Sequence, residues 1–129
     1  MKKKNGLILP MFNLLESDLI TNKYTSVIYT GGKNNDKEPS VFIVLKSENN
    51  EELMKIKFQD GAIKENGVNG VMNEDLIAMV IKRLEFWQTT QFKCRENACA
   101  ITKLEESLMW LRKRTVARER KGIEGTHKI

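Results

Sequence analysis

The 129-residue chain predicts an α+β fold: an N-terminal antiparallel β-sheet followed by a C-terminal α-helical hairpin, in an oligomer. Three observations carry that reading. Up to about residue 65 the apolar residues fall in short β-branched or alternating runs. From residue 73 onward they recur at spacings of three and four. Between the two regimes lie two Asn-Gly pairs, Asn66-Gly67 and Asn69-Gly70, which are turn chemistry. The division is a β-rich region over residues 1–65 and a helical hairpin over 66–129. Each half is small, its core is modest, and association with further copies is the expected source of added burial.

The elements follow in order. Residues 12–20 (FNLLESDLI) predict a short helix with Leu15 and Leu19 in register. Residues 24–30 are rich in β-branched and aromatic side chains, and 41–46 (VFIVLK) form a nearly continuous apolar run, the candidate central strand. Gly31 to Asp36 is a polar loop too long for a tight hairpin. Residues 53–59 (LMKIKFQ) alternate, with Met54, Ile56 and Phe58 on one face and Lys55 and Lys57 on the other. Asp60-Gly61 then predicts a two-residue hairpin turn into a short return strand at 62–64.

Asn73 predicts an N-cap, with Glu74 and Asp75 in the first helical turn, where the dipole favours acids. A helix over 74–88 carries the stripe Leu76, Val80, Leu84 and Trp87. After a short connection, a second helix over 94–120 carries Ile101, Leu104, Leu108 and Leu111 at spacings 3, 4, 3. One step back, that seam reaches Asn97. Gly122 stops the helix.

Charge is placed unevenly. Residues 1–111 hold 15 basic and 15 acidic side chains, so the net charge of +5 sits wholly in the last 18 residues. Such asymmetry points to an anionic partner. No apolar run approaches the ~18 residues of a membrane span. The basic start is followed by an apolar stretch too short for a secretory leader, so a cytosolic protein is expected. Cys94 and Cys99 match neither a metal-ligand nor a redox spacing and are expected to be small, buried or half-buried residues. His127 is the single histidine, so paired-histidine chemistry is excluded. No P-loop, dinucleotide fingerprint or zinc-protease motif is present. The sequence therefore predicts a binding protein rather than an enzyme, with no metal and no cofactor.

The candidate binding residues are few. Arg114 and Arg118 are four apart, on one helical face, and can grip a diphosphate or two nearby phosphates. The same pattern fits a solvated basic helix end, or a contact to nucleic acid. Phe86, Trp87 and Phe92 flank the hairpin turn and serve either packing or the stacking of a base. Asn97 on the apolar seam either sets helix register or reads a base edge or ribose.

Three stretches, ENGVNG at 65–70, CRENA at 94–98 and GIEGTH at 122–127, are set at fixed helical spacings. With them, residues 65–127 resemble the helical hairpin module shared by two kinds of phage anti-defence proteins, the Thoeris anti-defence sponges and the anti-CBASS cyclic-oligonucleotide sponges. The β-rich first half looks like the Thoeris branch. The resemblance implies a protein that is not an enzyme. It implies binding of a cyclic ADP-ribose isomer (glyco-cyclic ADP-ribose) made by a TIR-domain protein, held intact in the host bacterial cytoplasm. It also implies dimers that assemble into hexamers, with pockets between subunits, and in some members separate pockets for cyclic di- or trinucleotides. The family's aromatic residue before glutamine, more usually phenylalanine, falls on Trp87, with Phe86 beside it. Its asparagine falls on Asn97 and its late-helix arginines on Arg114 and Arg118. Gly125, Thr126 and His127 match the tail that forms a second nucleotide pocket. A small basic nucleic-acid-binding module is the alternative.

Overall fold

The computed structural model describes residues 2–4, 7–9, 11–33 and 37–129. They form two compact units, Met1–Val71 and Met72–Ile129.

In the first unit, strand β1 (Lys2–Lys4) pairs antiparallel with β2 (Leu7–Leu9). The apolar run near the start, expected only to be too short for a leader, thus contributes a paired strand. A four-stranded antiparallel meander follows: β3 (Asn13–Leu14), β4 (Thr25–Gly31), β5 (Pro39–Lys46) and β6 (Glu52–Lys57), in that spatial order. The expected central strand is therefore β5, paired on both sides. The middle of the long polar loop, residues 34–36, lies outside the described residues.

The helix expected over 12–20 does not form. Asn13 and Leu14 pair with Tyr29 and Ile28, and Leu19 is 93% exposed. Pairing to an existing strand edge outweighs the weak helical spacing of two leucines. Strand alternation sorts the sheet. Ser26, Ile28 and Leu45 share one face and are buried. The opposite face carries Tyr29, Phe42 and Phe58, with ring centroids 5.6 and 5.4 Å apart along the row. The β5–β6 turn is set by Asn50 at φ 62, a conformation asparagine tolerates, and by the Asn50 N–H donating to the Lys46 carbonyl at 2.9 Å.

The hairpin expected at Asp60-Gly61 is also absent. Instead the chain makes a loop closed by a parallel bridge between Phe58 and Val71. The Gln59 N–H donates to the Val71 carbonyl and the Val71 N–H to the Lys57 carbonyl, each at 2.8 Å. The expected return strand is replaced by a single helical turn, α1 (Ile63–Asn66). Side-chain amides out-compete hairpin pairing here. Asn69 Oδ1 accepts the Asp60 N–H, and Asn69 Nδ2 donates to the Asp60 carbonyl, both at 2.8 Å. Gln59 Nε2 donates to the Gly67 carbonyl at 2.8 Å, and its Oε1 accepts the Asn69 N–H at 3.0 Å. Gly70 lies against the Phe58 backbone, where a Cβ would collide with the carbonyl group.

In the second unit, α2 (Asn73–Trp87) and α3 (Arg95–Arg120) form the expected hairpin. Asn73 is the first helical residue rather than the N-cap. Met72 takes the cap position, and Asp75 Oδ2 accepts its N–H at 2.8 Å. The seam residues Asn97, Ile101, Leu104, Leu108 and Leu111 are half-buried, and Ile81 of α2 is buried. α3 outruns α2 by eleven residues, about 16 Å at ~1.5 Å per residue. No helix among the described residues is long and apolar enough to cross a membrane.

Candidate ligand-binding residues at the two ends of a helical hairpin

At the loop end, Trp87 is the last residue of α2 and 42% exposed, with the Arg83 guanidinium 5.5 Å from its ring centroid. Arg83 lies one turn earlier, so the cation covers one face of the indole and holds its orientation. Phe86 and Phe92 are 66% and 65% exposed, so neither is packing the core of this unit. The loop itself is tied down by the Gln88 amide. Its Oε1 accepts the Cys94 N–H at 3.1 Å and its Nε2 donates to the Cys94 carbonyl at 3.0 Å. Thr89 and Thr90 hydroxyls each donate at 2.6 Å to the carbonyls of Phe86 and Trp87.

Cys94 caps α3, its Sγ accepting the Asn97 N–H at 3.4 Å. It is half-buried, as expected, whereas Cys99 is exposed. Asn97 is half-buried in the first turn of α3. Its Nδ2 reaches the Phe92 carbonyl only at 3.5 Å, and among the described residues its Oδ1 makes no hydrogen bond. An amide so placed keeps an acceptor, and a weakly used donor, for a ligand.

At the far end, Arg114 is exposed and, among the described residues, makes no ion pair or hydrogen bond. Arg112 differs, pairing with Glu119 at 3.1 Å. Arg118 is half-buried and already engaged: its Nη2 donates to the carbonyls of Ile123 at 3.3 Å and Thr126 at 2.9 Å. Gly125 takes φ 76, and the Thr126 hydroxyl donates to the Ile123 carbonyl at 2.5 Å. His127 is exposed. Leu108, Met109, Val116 and Ala117, with Arg112, Lys113 and Arg120 and not Arg114 or Arg118, line an open groove of about 630 Å³ on α3.

The candidates thus fall into two clusters. α3 runs unbroken from Arg95 to Arg120, so Asn97 lies about 26 Å from Arg114 and about 32 Å from Arg118 along the axis. Within one chain Trp87 and Asn97 both lie at the loop end of the hairpin, and Arg118 meets the tail, but the helix keeps Asn97 from Arg114 and Arg118. Arg83 and Gln88 were missed by sequence reading. The four-residue step from Arg83 to Trp87 is the signal that pointed to the first. The second depends on a loop conformation that no spacing announces.

Comparison with known proteins places this hairpin. The family model described as "Acb2/Tad1, hairpin domain" matches residues 50–116. That span includes Phe86, Trp87, Asn97 and Arg114; Arg118 and the tail lie beyond it. The chain is also 65% identical over 75 residues to "Thoeris anti-defense 1" of Bacillus phage SBSphiJ7. That alignment covers 58% of this chain and 53% of the relative, so the chain spans about half the length of the curated relative it matches. With more than half of its length matched by that model, and with the hairpin, seam and loop in place, the chain belongs to the Acb2/Tad1 hairpin-domain family.

Proposed function

We propose that this chain is a phage anti-defence sponge acting in the host bacterial cytoplasm. It binds a TIR-generated cyclic ADP-ribose isomer, the glyco-cyclic form, and sequesters it without cleavage, so that Thoeris immunity is not triggered. Residues 66–129 are the ligand-binding and oligomerisation domain in this reading. The ligand presents an adenine, two riboses and a diphosphate. Trp87, with Phe86 beside it, supplies the stacking surface, Asn97 the polar reader, and Arg114 and Arg118 the paired cations.

The observation that carries the reading is the separation of those groups. One ligand of this size cannot touch Asn97 and Arg114 of the same chain when about 26 Å of rigid helix lies between them. A pocket holding both chemistries takes the loop end of one protomer and the basic end of another. A two-fold pairing of hairpins makes two such pockets at once. The exposed Met109 and Trp110, 71% and 62% accessible, are the apolar surface such an association buries. Dimers then assemble further, into hexamers. Gly125, Thr126 and His127 form a second site for cyclic di- or trinucleotides of CBASS type. The side chains assigned to this pocket, Phe86, Trp87, Asn97, Arg114 and Arg118, include no nucleophile paired with a base, which fits retention rather than turnover.

A sponge must outcompete the host effector, so nanomolar affinity, about −12 kcal/mol, is the scale expected. The test is depletion and release. The purified protein is incubated with glyco-cyclic ADP-ribose, depletion from solution is measured, and the protein is denatured. Recovery of intact ligand supports the reading, and a cleaved product sinks it. The basic excess at the C-terminus favours one second reading, a small nucleic-acid-binding module. That module predicts no depletion of the cyclic nucleotide and a steep loss of affinity for DNA or RNA as salt rises.

A further inference from the structure

We propose that Arg118 is a positioning residue for the C-terminal tail, and that the tail and a bound diphosphate compete for its guanidinium. The second half of the proposal rests on the reading of Arg118 as a phosphate-binding residue.

α3 ends in a Schellman turn. Gly122 takes φ 72, its N–H donates to the Glu119 carbonyl at 3.0 Å, and the Ile123 N–H donates to the Arg118 carbonyl at 3.1 Å. This reverses the chain, so residues 123–126 pass the Arg118 side chain. The turn then closes on one nitrogen. Arg118 Nη2 donates to the carbonyls of both Ile123 and Thr126. Thr126 donates to the same Ile123 carbonyl through its N–H at 3.1 Å and through its hydroxyl. The hydroxyl also accepts the Lys128 N–H at 3.3 Å.

A guanidinium has five N–H donors in one plane and two edges able to grip an anion with two parallel bonds. One edge joins Nη1 to Nη2, and the other joins Nε to Nη2. Both need Nη2. Nη2 already donates to two tail carbonyls, whereas among the described residues Nε and Nη1 make no hydrogen bond. A phosphate gripped at two points on either edge therefore draws on the nitrogen that holds the Ile123 and Thr126 carbonyls. Arg114, one turn earlier, has no such commitment. The candidate tail site and the candidate diphosphate site thus draw on one guanidinium, and filling the second loosens the first.

The test is amide hydrogen exchange of residues 121–129 in the full-length protein. It is followed in the wild type, Arg118→Lys and Arg114→Ala, each alone, with inorganic pyrophosphate and with glyco-cyclic ADP-ribose. Occupancy is measured separately by calorimetry. Without ligand, Arg118→Lys is expected to speed tail exchange about tenfold or more, and Arg114→Ala to leave it unchanged. Saturating the wild type is expected to speed tail exchange as well. Tail exchange in Arg118→Lys equal to the wild type overturns the positioning role. A tail that slows or stays unchanged on saturation overturns the competition. If neither probe is taken up, the sponge reading and the competition fail together, while faster exchange in Arg118→Lys still establishes the positioning role.

Discussion

The Gln88 side chain spans the backbone of Cys94, accepting its N–H at 3.1 Å and donating to its carbonyl at 3.0 Å. Two hydrogen bonds from one side-chain amide thereby fix a loop whose ends carry Trp87 on one side and, through the Cys94 cap, Asn97 on the other. With the Thr89 and Thr90 hydroxyls on the Phe86 and Trp87 carbonyls, this side chain holds the segment between Trp87 and Asn97.

Replacing it has a defined cost. Gln88→Ala leaves the part-buried Cys94 N–H without its partner and the Cys94 carbonyl with only the Ala98 N–H at 3.3 Å, worth roughly 1–3 kcal/mol. Chemical denaturation is expected to show that loss. Affinity for glyco-cyclic ADP-ribose should fall at a temperature where the variant remains folded. An affinity equal to the wild type would show that the loop does not position the site.

A pocket shared between protomers allows complementation. A Trp87→Ala, Asn97→Ala chain keeps its basic end, and an Arg114→Ala chain keeps its loop end. Each alone should lose ligand while keeping its oligomer. After dissociation and reassembly of an equal mixture, roughly one quarter of the pockets of two-fold dimers combine two intact halves. Calorimetry is expected to find that fraction of sites at wild-type affinity. Absence of any recovered site would place both clusters' chemistry within one chain, or outside binding altogether.

Gly70 tests the closed loop before the hairpin. Its Cα faces the Phe58 carbonyl, so Gly70→Ala must push apart the Phe58 to Val71 bridge. A loss of about 1–3 kcal/mol is expected, read by chemical denaturation. Gly67 has open space around it, but at φ 72 its conformation is disfavoured for other residues, so Gly67→Ala should cost less than Gly70→Ala. The reverse order would mean that the Gly70 contact is relieved cheaply by the loop.

The elements differ in how readable they were. β4, β5 and both long helices were legible because their patterns persist over many residues. The 3, 4, 3 spacing from Ile101 to Leu111 does become the half-buried seam. Residues 12–20 misled because two leucines at helical spacing weigh less than pairing to the edge of β4. Asp60-Gly61 misled because turn chemistry is local, whereas Asn69, nine residues on, supplies the competing hydrogen bonds.

The basic helix end and its spacing were determined by the sequence alone. Charge counts and a four-residue interval need no coordinates to place Arg114 and Arg118 on one face. What each arginine is free to do was decided only by the tertiary structure. The Schellman turn at Gly122 brings two tail carbonyls to Arg118 and none to Arg114. The length of α3 likewise separates residues that spacing alone treats as one set. Periodicity reports which face a side chain occupies. Which partners meet it there depends on the path the chain takes after it turns back, and that path is set by hydrogen bonds that spacing does not show.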